Sequence, residues 1–171
     1  MTTPSESSST FNSGSHFFRE AIGMGEIRSA SKTGVLRTFV GSCVGVALYD
    51  QHLKIASLAH IMLPDSKGQG EKPGKFVDTA IPEMIRQLRQ LSDGQTVHWA
   101  AKIAGGAKML AFQSGATVGD QNIQSVEQIL KHLDIPLLGK NCGGSQGRRV
   151  AFDVATGTMT IETMGGAVKR I

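Results

Sequence analysis

The stretch TFVGSCVGVALYDQHLKIASLAHIMLP, at residues 38–64, limits the fold of this chain more than any other. Two runs rich in β-branched and aliphatic residues, 44–49 and 55–63, flank the polar triplet Asp50-Gln51-His52, which is the pattern of a β-hairpin. A hairpin makes cross-strand neighbours of residues that are distant in sequence. The second run is therefore expected to fold back on the first and to carry His60 towards Cys43.

The length of the hairpin loop decides how these two side chains are related. A two-residue loop at Gln51-His52 places Cys43 directly opposite His60, a four-residue loop leaves them diagonal on one face, and a three-residue loop puts them on opposite faces. The sequence does not fix the loop length, so all three alternatives stay open. A shared face would bring a thiol beside an imidazole, the arrangement that produces a nucleophilic thiolate.

Further strands are predicted on both sides of this hairpin. They lie at residues 35–40, 97–103, 136–139, 150–154 and 159–164, the last two joined as a second hairpin. Between them, residues 65–75 and 141–149 are polar and glycine-rich and are expected to be loops.

Two helices are predicted from apolar stripes. The first stripe has Asp78 or Thr79 as its cap and consists of Ile81, Met84, Ile85, Leu88 and Leu91. The second helix, over about 120–133 with Asp120 as cap, has the stripe Ile123, Val126, Leu130 and Leu133. Helices interspersed among strands predict an α/β fold, a layered sandwich of mixed, largely antiparallel β-sheet flanked by two main helices.

Length and composition indicate the number of domains and the cellular location of the protein. A chain of 171 residues suits one domain, predicted at 17–171, and the Ser/Thr-rich residues 1–16 are expected to be a disordered tail. No apolar run approaches the roughly 20 residues of a membrane span, and no signal peptide is evident, so a cytoplasmic protein without membrane insertion is expected. Its two cysteines are then expected to be reduced thiols.

Several other functions are disfavoured by composition and spacing. The net charge of +4 is modest, basic residues are scattered and aromatic residues are few, so nucleic-acid binding is not expected. The histidine spacings give no metal-binding pattern, and the glycine-rich segments lack the phosphate-loop motif. No metal and no cofactor are therefore predicted.

A set of motifs sharpens the interpretation of Cys43 and His60. The chain contains T-x-x-G-S-C-V-x-V-x-L-Y-D, A-H-x-M-L-P-D, K-P-G-K-F-x-D-T-A, K-I-A-G-G-A and G-G-x-x-G-R-R. These motifs resemble the CheD family, the bacterial chemoreceptor glutamine deamidases, from about residue 23 to residue 166. The resemblance implies a fold similar to that of bacterial toxin deamidases and a Cys–His–Thr site that converts chemoreceptor glutamines to glutamate in chemotaxis adaptation.

Carried over to this chain, the resemblance implies Cys43 as nucleophile, His60 as base and Thr38 as the third member. The backbone N–H groups of the Gly41-Ser42-Cys43 turn, Gly41 and Ser42 among them, are candidates for stabilising the oxyanion of the tetrahedral intermediate. In some members of the family the threonine lies one residue further from the cysteine. That position is Arg37 here, which cannot accept a proton, so Thr38 is the expected residue even though a shift of one reverses the face in a regular strand.

The predicted substrate is the group of helices in the cytoplasmic part of chemoreceptors. The resemblance also implies a CheC-type phosphatase as a possible partner, and an alternative function is a weakly catalytic adaptor that binds and regulates this phosphatase. Another alternative is a peroxide-sensing thiol at Cys43, which predicts sulfenic acid formation and a bridge to Cys142.

Overall fold

The computed structural model describes residues 20–70, 72–110 and 114–171. The predicted tail, residues 1–16, lies outside these ranges, and the assignment of 17–171 to a single domain stays a prediction. The strands are β1 Ile27–Ser31, β2 Val35–Val40, β3 Val44–Asp50, β4 Ile55–Ile61, β5 Ala100–Gly105, β6 Leu137–Cys142, β7 Arg148–Asp153, β8 Met159–Thr163 and β9 Val168–Arg170. The helices are a short 3-10 turn Pro73–Lys75, then α1 Val77–Leu91 and α2 Val118–His132.

The strands form two sheets, and nearly every pairing is antiparallel. A five-stranded sheet has the order β1-β4-β3-β5-β6, and a four-stranded sheet has the order β2-β7-β8-β9. Only β5 and β6, among the described pairs, run parallel. The predicted α/β layered sandwich of largely antiparallel sheet is thus confirmed, with two sheets forming its layers.

The central hairpin β3–β4 forms the middle layer, and every residue of both strands is buried. On one face, alternate residues such as Val46 and Ile61 pack with Met84 of α1 and Val126 of α2. On the other face, Ala47 and Leu58 pack against residues of the four-stranded sheet. The continuous apolar character of these strands follows from burial on both faces.

The hairpin loop has four residues, 51–54, because Asp50 pairs with Ile55. The buried carboxylate of Asp50 sets this length by accepting hydrogen bonds from the backbone N–H groups of His52 and Leu53 at 2.8 and 3.0 Å. Its second oxygen accepts from the N–H of His98 at 2.7 Å. Lys54 closes the loop in the left-handed region, with a φ of 52°.

Both predicted helix caps were wrong. The first helix begins at Val77 with Phe76 as its cap residue, before both Asp78 and Thr79. Asp78 instead accepts hydrogen bonds from Ser66 in the preceding loop. In α2 the cap is Thr117, whose hydroxyl accepts from the Asp120 N–H while the Asp120 carboxylate accepts from the Thr117 N–H. Asp120 is thus the third residue of a capping box and not the cap itself.

Several strand boundaries also differ from the predictions. Residues 97–99 are not part of a strand, because the neighbouring strand β3 ends at Asp50 and the ladder begins at Tyr49 and Ala100. Strand β6 continues to Cys142 by pairing with β5, so the predicted loop at 141–149 is shorter. The strands β1 and β9 were not predicted. None of the helices in the described residues is long and apolar enough to cross a membrane.

Substitution Asp50→Ala should lower the free energy of unfolding by about 2 kcal/mol, because three part-buried backbone N–H groups lose their common acceptor. Urea denaturation measures this loss. The matched control is Asp153→Ala, which removes one such bond, to the Thr156 N–H in the β7–β8 hairpin. An Asp50→Ala loss no greater than that of the control would contradict the role of Asp50 in setting the loop.

Candidate active site

A hydrogen bond between Thr38 and His60 joins the two sheets. Thr38 belongs to β2 of the four-stranded sheet, and His60 belongs to β4 of the five-stranded sheet. Their Oγ1 and Nδ1 atoms are 2.9 Å apart, with Thr38 fully buried and His60 only 5% exposed. The structure therefore brings together two of the three residues that the sequence analysis singled out.

The second hydrogen bond of Thr38 fixes the protonation of the imidazole. The Thr38 hydroxyl donates to the carbonyl oxygen of Ile22 at 2.9 Å. Because a hydroxyl has one proton, its oxygen must then accept from His60, which places a proton on Nδ1. The Nε2 atom keeps its lone pair and can act as a base.

Cys43 lies just before β3, on the same side of the sheet as His60. The register pairs Gly45 with His60, and Cys43 precedes Gly45 by two positions, so Cys43 and His60 are diagonal on one face. Cys43 packs against the cluster between the two sheets. This is the arrangement expected of a four-residue loop.

The short spacing between Thr38 and Cys43 does not put Thr38 on the wrong face. Residues 41–43 form a bend in which the chain leaves β2 and enters β3, a strand of the other sheet. Strand alternation therefore does not continue from Thr38 to Cys43. The side chain of Thr38 points into the interior because it alternates with Arg37 and Phe39 along β2.

Gly45 makes room for Thr38. A Cβ atom on Gly45 would lie 3.3 Å from the Cγ2 methyl group of Thr38, closer than most contacts of a real side chain. Since Gly45 is the cross-strand partner of His60, any side chain there would press on the contact between the two sheets. Glycine is used here for space.

An open groove of about 570 Å³ has Cys43 and the edge of the otherwise buried His60 in its lining. The flexible side chains of Met24 and Met109 line it and are 61% and 53% exposed. The full lining consists of Ala21, Ile22, Gly23, Met24, Phe39, Gly41, Ser42, Cys43, His60 and Met109. A second groove of about 560 Å³, beside α1, is lined by Pro82, Ile85, Arg86, Arg89, Gln90 and Leu133 and has no nucleophile or base.

Burial favours the neutral forms of both reactive groups. It raises the pKa of the Cys43 thiol above the ordinary value. It also lowers the pKa of His60, an effect that the carbonyl of Ile22 and the charge of Glu26 oppose in part. At neutral pH both shifts favour a thiol beside a neutral imidazole.

The carbonyl groups of the 41–43 bend are held by donors behind it. The carbonyl of Gly41 accepts from the N–H of Ala107 at 2.9 Å, and that of Cys43 accepts from the N–H of Gly106 at 2.9 Å. The carbonyl of Ser42 accepts from the side chain of Asn122 at 3.4 Å. In a trans peptide the C=O and the following N–H point in opposite directions, so the N–H groups of Ser42 and Cys43 face away from these donors.

Two residues at this site were not predicted from the sequence: Ile22, whose carbonyl orients Thr38, and Asn122. A backbone carbonyl leaves no mark in a sequence. Asn122 had a signal, since it precedes Val126 and Leu130 by four and eight positions and so interrupts an apolar stripe with a polar residue.

Cys142 lies apart from this site. It is the last residue of β6 and packs with the apolar residues between the five-stranded sheet and the helices, whereas Cys43 packs with those between the two sheets. Burial raises the pKa of Cys142 to about 11. The sheet thus separates the two thiols, which gives no support to the bridge required by the peroxide-sensor alternative. Within the described ranges, no three His, Cys, Asp or Glu side chains are grouped to hold a metal ion.

Comparison with known proteins adds to this geometry. The family model described as CheD chemotactic sensory transduction matches residues 62–163. This chain belongs to the CheD family. The matched segment begins after His60, so the match to the CheD model is independent of the three candidate catalytic residues.

Several curated CheD proteins align over most of the chain. The chemoreceptor glutamine deamidase CheD of Thermotoga maritima is 38% identical over 150 residues, which cover 86% of this chain and 94% of that protein. The probable chemoreceptor glutamine deamidase CheD of Desulforamulus reducens is 40% identical over 88% of this chain and 93% of its own length. The CheD of Halalkalibacterium halodurans is 37% identical over 88% and 96%.

The rate of Cys43 alkylation by iodoacetamide should continue to rise with pH beyond about 8.5, where an ordinary cysteine is half ionised. The reason is that burial raises the pKa of this thiol. The measurement is best made in a Cys142→Ser background, so that a single thiol reacts. A rate that levels off below pH 8 would show instead that the resting site holds a preformed thiolate.

Proposed function

We propose that this protein is a hydrolase that converts glutamine side chains on chemoreceptor helices to glutamate, with Cys43 as nucleophile, His60 as general base and acid, and Thr38 as the residue that orients His60. The observation that carries the proposal is the Thr38–His60 hydrogen bond at the wall of a groove that also exposes Cys43. The names of the relatives, chemoreceptor glutamine deamidases, support the choice of substrate.

The first chemical step is attack of the Cys43 sulfur on the carboxamide carbon. The thiol proton passes to the free Nε2 of His60 as the S–C bond forms, which creates an imidazolium. The carbonyl oxygen of the substrate becomes an oxyanion. The N–H groups of Ser42 and Cys43, which face away from the donors behind the bend, are the proposed donors to this oxyanion.

Collapse of this intermediate breaks the C–N bond. The imidazolium of His60 gives its proton to the departing nitrogen. Ammonia leaves, and the acyl group of the substrate remains on Cys43 as a thioester. Water then attacks the thioester, with His60 again taking a proton. The Cys43 thiolate departs and takes that proton from the imidazolium, and the carboxylic acid left on the substrate loses its own proton to solvent to become glutamate.

Thr38 supports these steps by holding the ring. With Nδ1 committed to the Thr38 oxygen, Nε2 is the nitrogen available to the sulfur and to the substrate. A hydroxyl adds no charge, so it stabilises the imidazolium less than a carboxylate does. The neutral orienter matches a site in which both groups rest uncharged.

The shape of the groove suits a protein surface as substrate. It is open, and the exposed methionines at its edges can adapt to apolar side chains that flank a glutamine on a helix. A CheC-type phosphatase partner, the adaptor alternative and a cytoplasmic location stay predictions.

Incubation with a purified chemoreceptor cytoplasmic fragment should convert particular glutamines to glutamate, detected by peptide mass spectrometry. The conversion should be absent with Cys43→Ala, because no sulfur is present to form the thioester. Cys142→Ser is the matched control and should retain full activity. No conversion by the wild-type protein, with a folded fragment from a receptor of the same organism, would contradict the proposed function.

Thr38→Val should lower kcat by on the order of 10- to 100-fold, because the isosteric side chain cannot accept from Nδ1 and the imidazole loses its fixed orientation. Thr38→Ser keeps the hydroxyl and should recover most of the activity. The Nδ1 and Nε2 chemical shifts of His60, measured by NMR, should reveal a change of tautomer in Thr38→Val. Equal activity of the Val and Ser variants would exclude this role for Thr38.

A further inference from the structure

Asn122 is a polar residue on the buried face of α2. Its side chain is fully buried, and its Nδ2 donates to the carbonyl of Met62 at 2.9 Å and to the carbonyl of Ser42 at 3.4 Å. Its Oδ1 has no hydrogen-bond partner among the described residues. One amide group thus contacts both segments that carry the reactive side chains.

We propose that Asn122 is a positioning residue for the reaction, whose amide holds the carbonyls of Ser42 and Met62 and so aims the Cys43 N–H into the groove. This inference rests on the proposed deamidation. Asn122 contacts the backbone and not Cys43 Sγ or the His60 ring in these interactions. Its effect would therefore be transmitted through the 41–43 bend.

The position of Asn122 coincides with the end of the hairpin ladder. The last cross-strand pair of β3 and β4 is Val44 with Ile61, and the same register would next pair Cys43 with Met62. The strands end at this point. The Asn122 amide donates to one carbonyl beside the start of β3, that of Ser42, and to one beside the end of β4, that of Met62. It thereby connects the two segments that carry Cys43 and His60.

The planarity of the peptide connects this contact to the oxyanion. When the Ser42 carbonyl points to Asn122, the N–H of Cys43, in the same trans peptide, points the opposite way. Loss of the Asn122 donor would leave the Ser42 carbonyl free to turn, and the Cys43 N–H would turn with it. A donor that must be in place before the oxyanion forms is useful only if it is held rigidly.

Donation of hydrogen bonds to the backbone is what an asparagine contributes at this position. Its own amide oxygen is buried without a partner, which is unfavourable, and the residues one and two turns further along the same face are Val126 and Leu130. A leucine of similar size would avoid the unpaired amide oxygen but would leave the carbonyls of Ser42 and Met62 without this donor. The position therefore requires a donor to these two carbonyls.

The test compares Asn122→Leu with Val126→Ala, a substitution one turn away that loosens the same helix face without touching the bend. Asn122→Leu should lower kcat for receptor deamidation by about 10- to 100-fold with little change in KM, because the donor acts on the transition state. Alkylation of Cys43 by iodoacetamide should change less than about threefold, since substitution at that carbon forms no oxyanion. Val126→Ala should leave kcat close to the wild-type value.

Hydrogen–deuterium exchange gives a second readout that does not depend on activity. The peptide containing residues 41–44 should exchange faster in Asn122→Leu than in Val126→Ala, and Asn122→Ala replaces the leucine variant if the latter does not fold. Equal exchange in this peptide, or unchanged kcat in a folded Asn122 variant, would overturn the inference. A wild-type protein that shows no deamidation at all would instead overturn the proposed function, while the exchange experiment would still decide whether Asn122 holds the bend.

Discussion

The hydrogen bond between Thr38 and His60 is the contact on which the site depends, because its two partners belong to different sheets. Neither sheet contains the site by itself. The contact forms when β2 packs across the central hairpin. Because the Thr38 hydroxyl donates to the carbonyl of Ile22, the proton between Thr38 and His60 belongs to Nδ1 of the imidazole. Gly45 permits the close approach by presenting no side chain to Thr38. Packing of the two sheets therefore also orients the imidazole of His60.

Burial gives the site a resting state with little charge. A thiol is less reactive towards oxidants than a thiolate, so the raised pKa of Cys43 makes this side chain less prone to oxidation. The lowered pKa of His60 favours the neutral imidazole, the form that can accept a proton. In the proposed reaction, charge would develop only on the imidazole and on the substrate oxygen, where oriented backbone N–H groups can stabilise it. Asn122 would contribute to that orientation from behind the bend.

Much of the fold could be predicted from local patterns. The central strands were recognisable because burial on both faces gives unbroken apolar runs, and α1 was recognisable from its stripe, of which Ile81, Met84 and Leu88 are fully buried. Residues 97–99 looked like a strand but have no neighbouring strand to pair with. The edge strands β1 and β9 were missed because edge strands are short and polar. Caps were misassigned by two or three residues, since Asp78, Thr117 and Asp120 are all suitable cap residues and only backbone geometry separates them.

The sequence by itself determined the chemistry that this chain can offer: a cysteine in a tight bend, a histidine on the returning strand and a threonine before them. It did not determine how they meet. The loop length depends on an Asp50 carboxylate that also binds the N–H of His98, a residue far along the chain, and on a left-handed Lys54 in place of the usual glycine or asparagine. The partners of Thr38 and Asn122 are backbone carbonyls, which every residue possesses and no sequence pattern marks. Local periodicity depends on the types of side chain along one segment and can be recognised in a sequence. The geometry of the site instead arises from contacts between distant segments. Those contacts exist only when the two sheets and α2 are packed together.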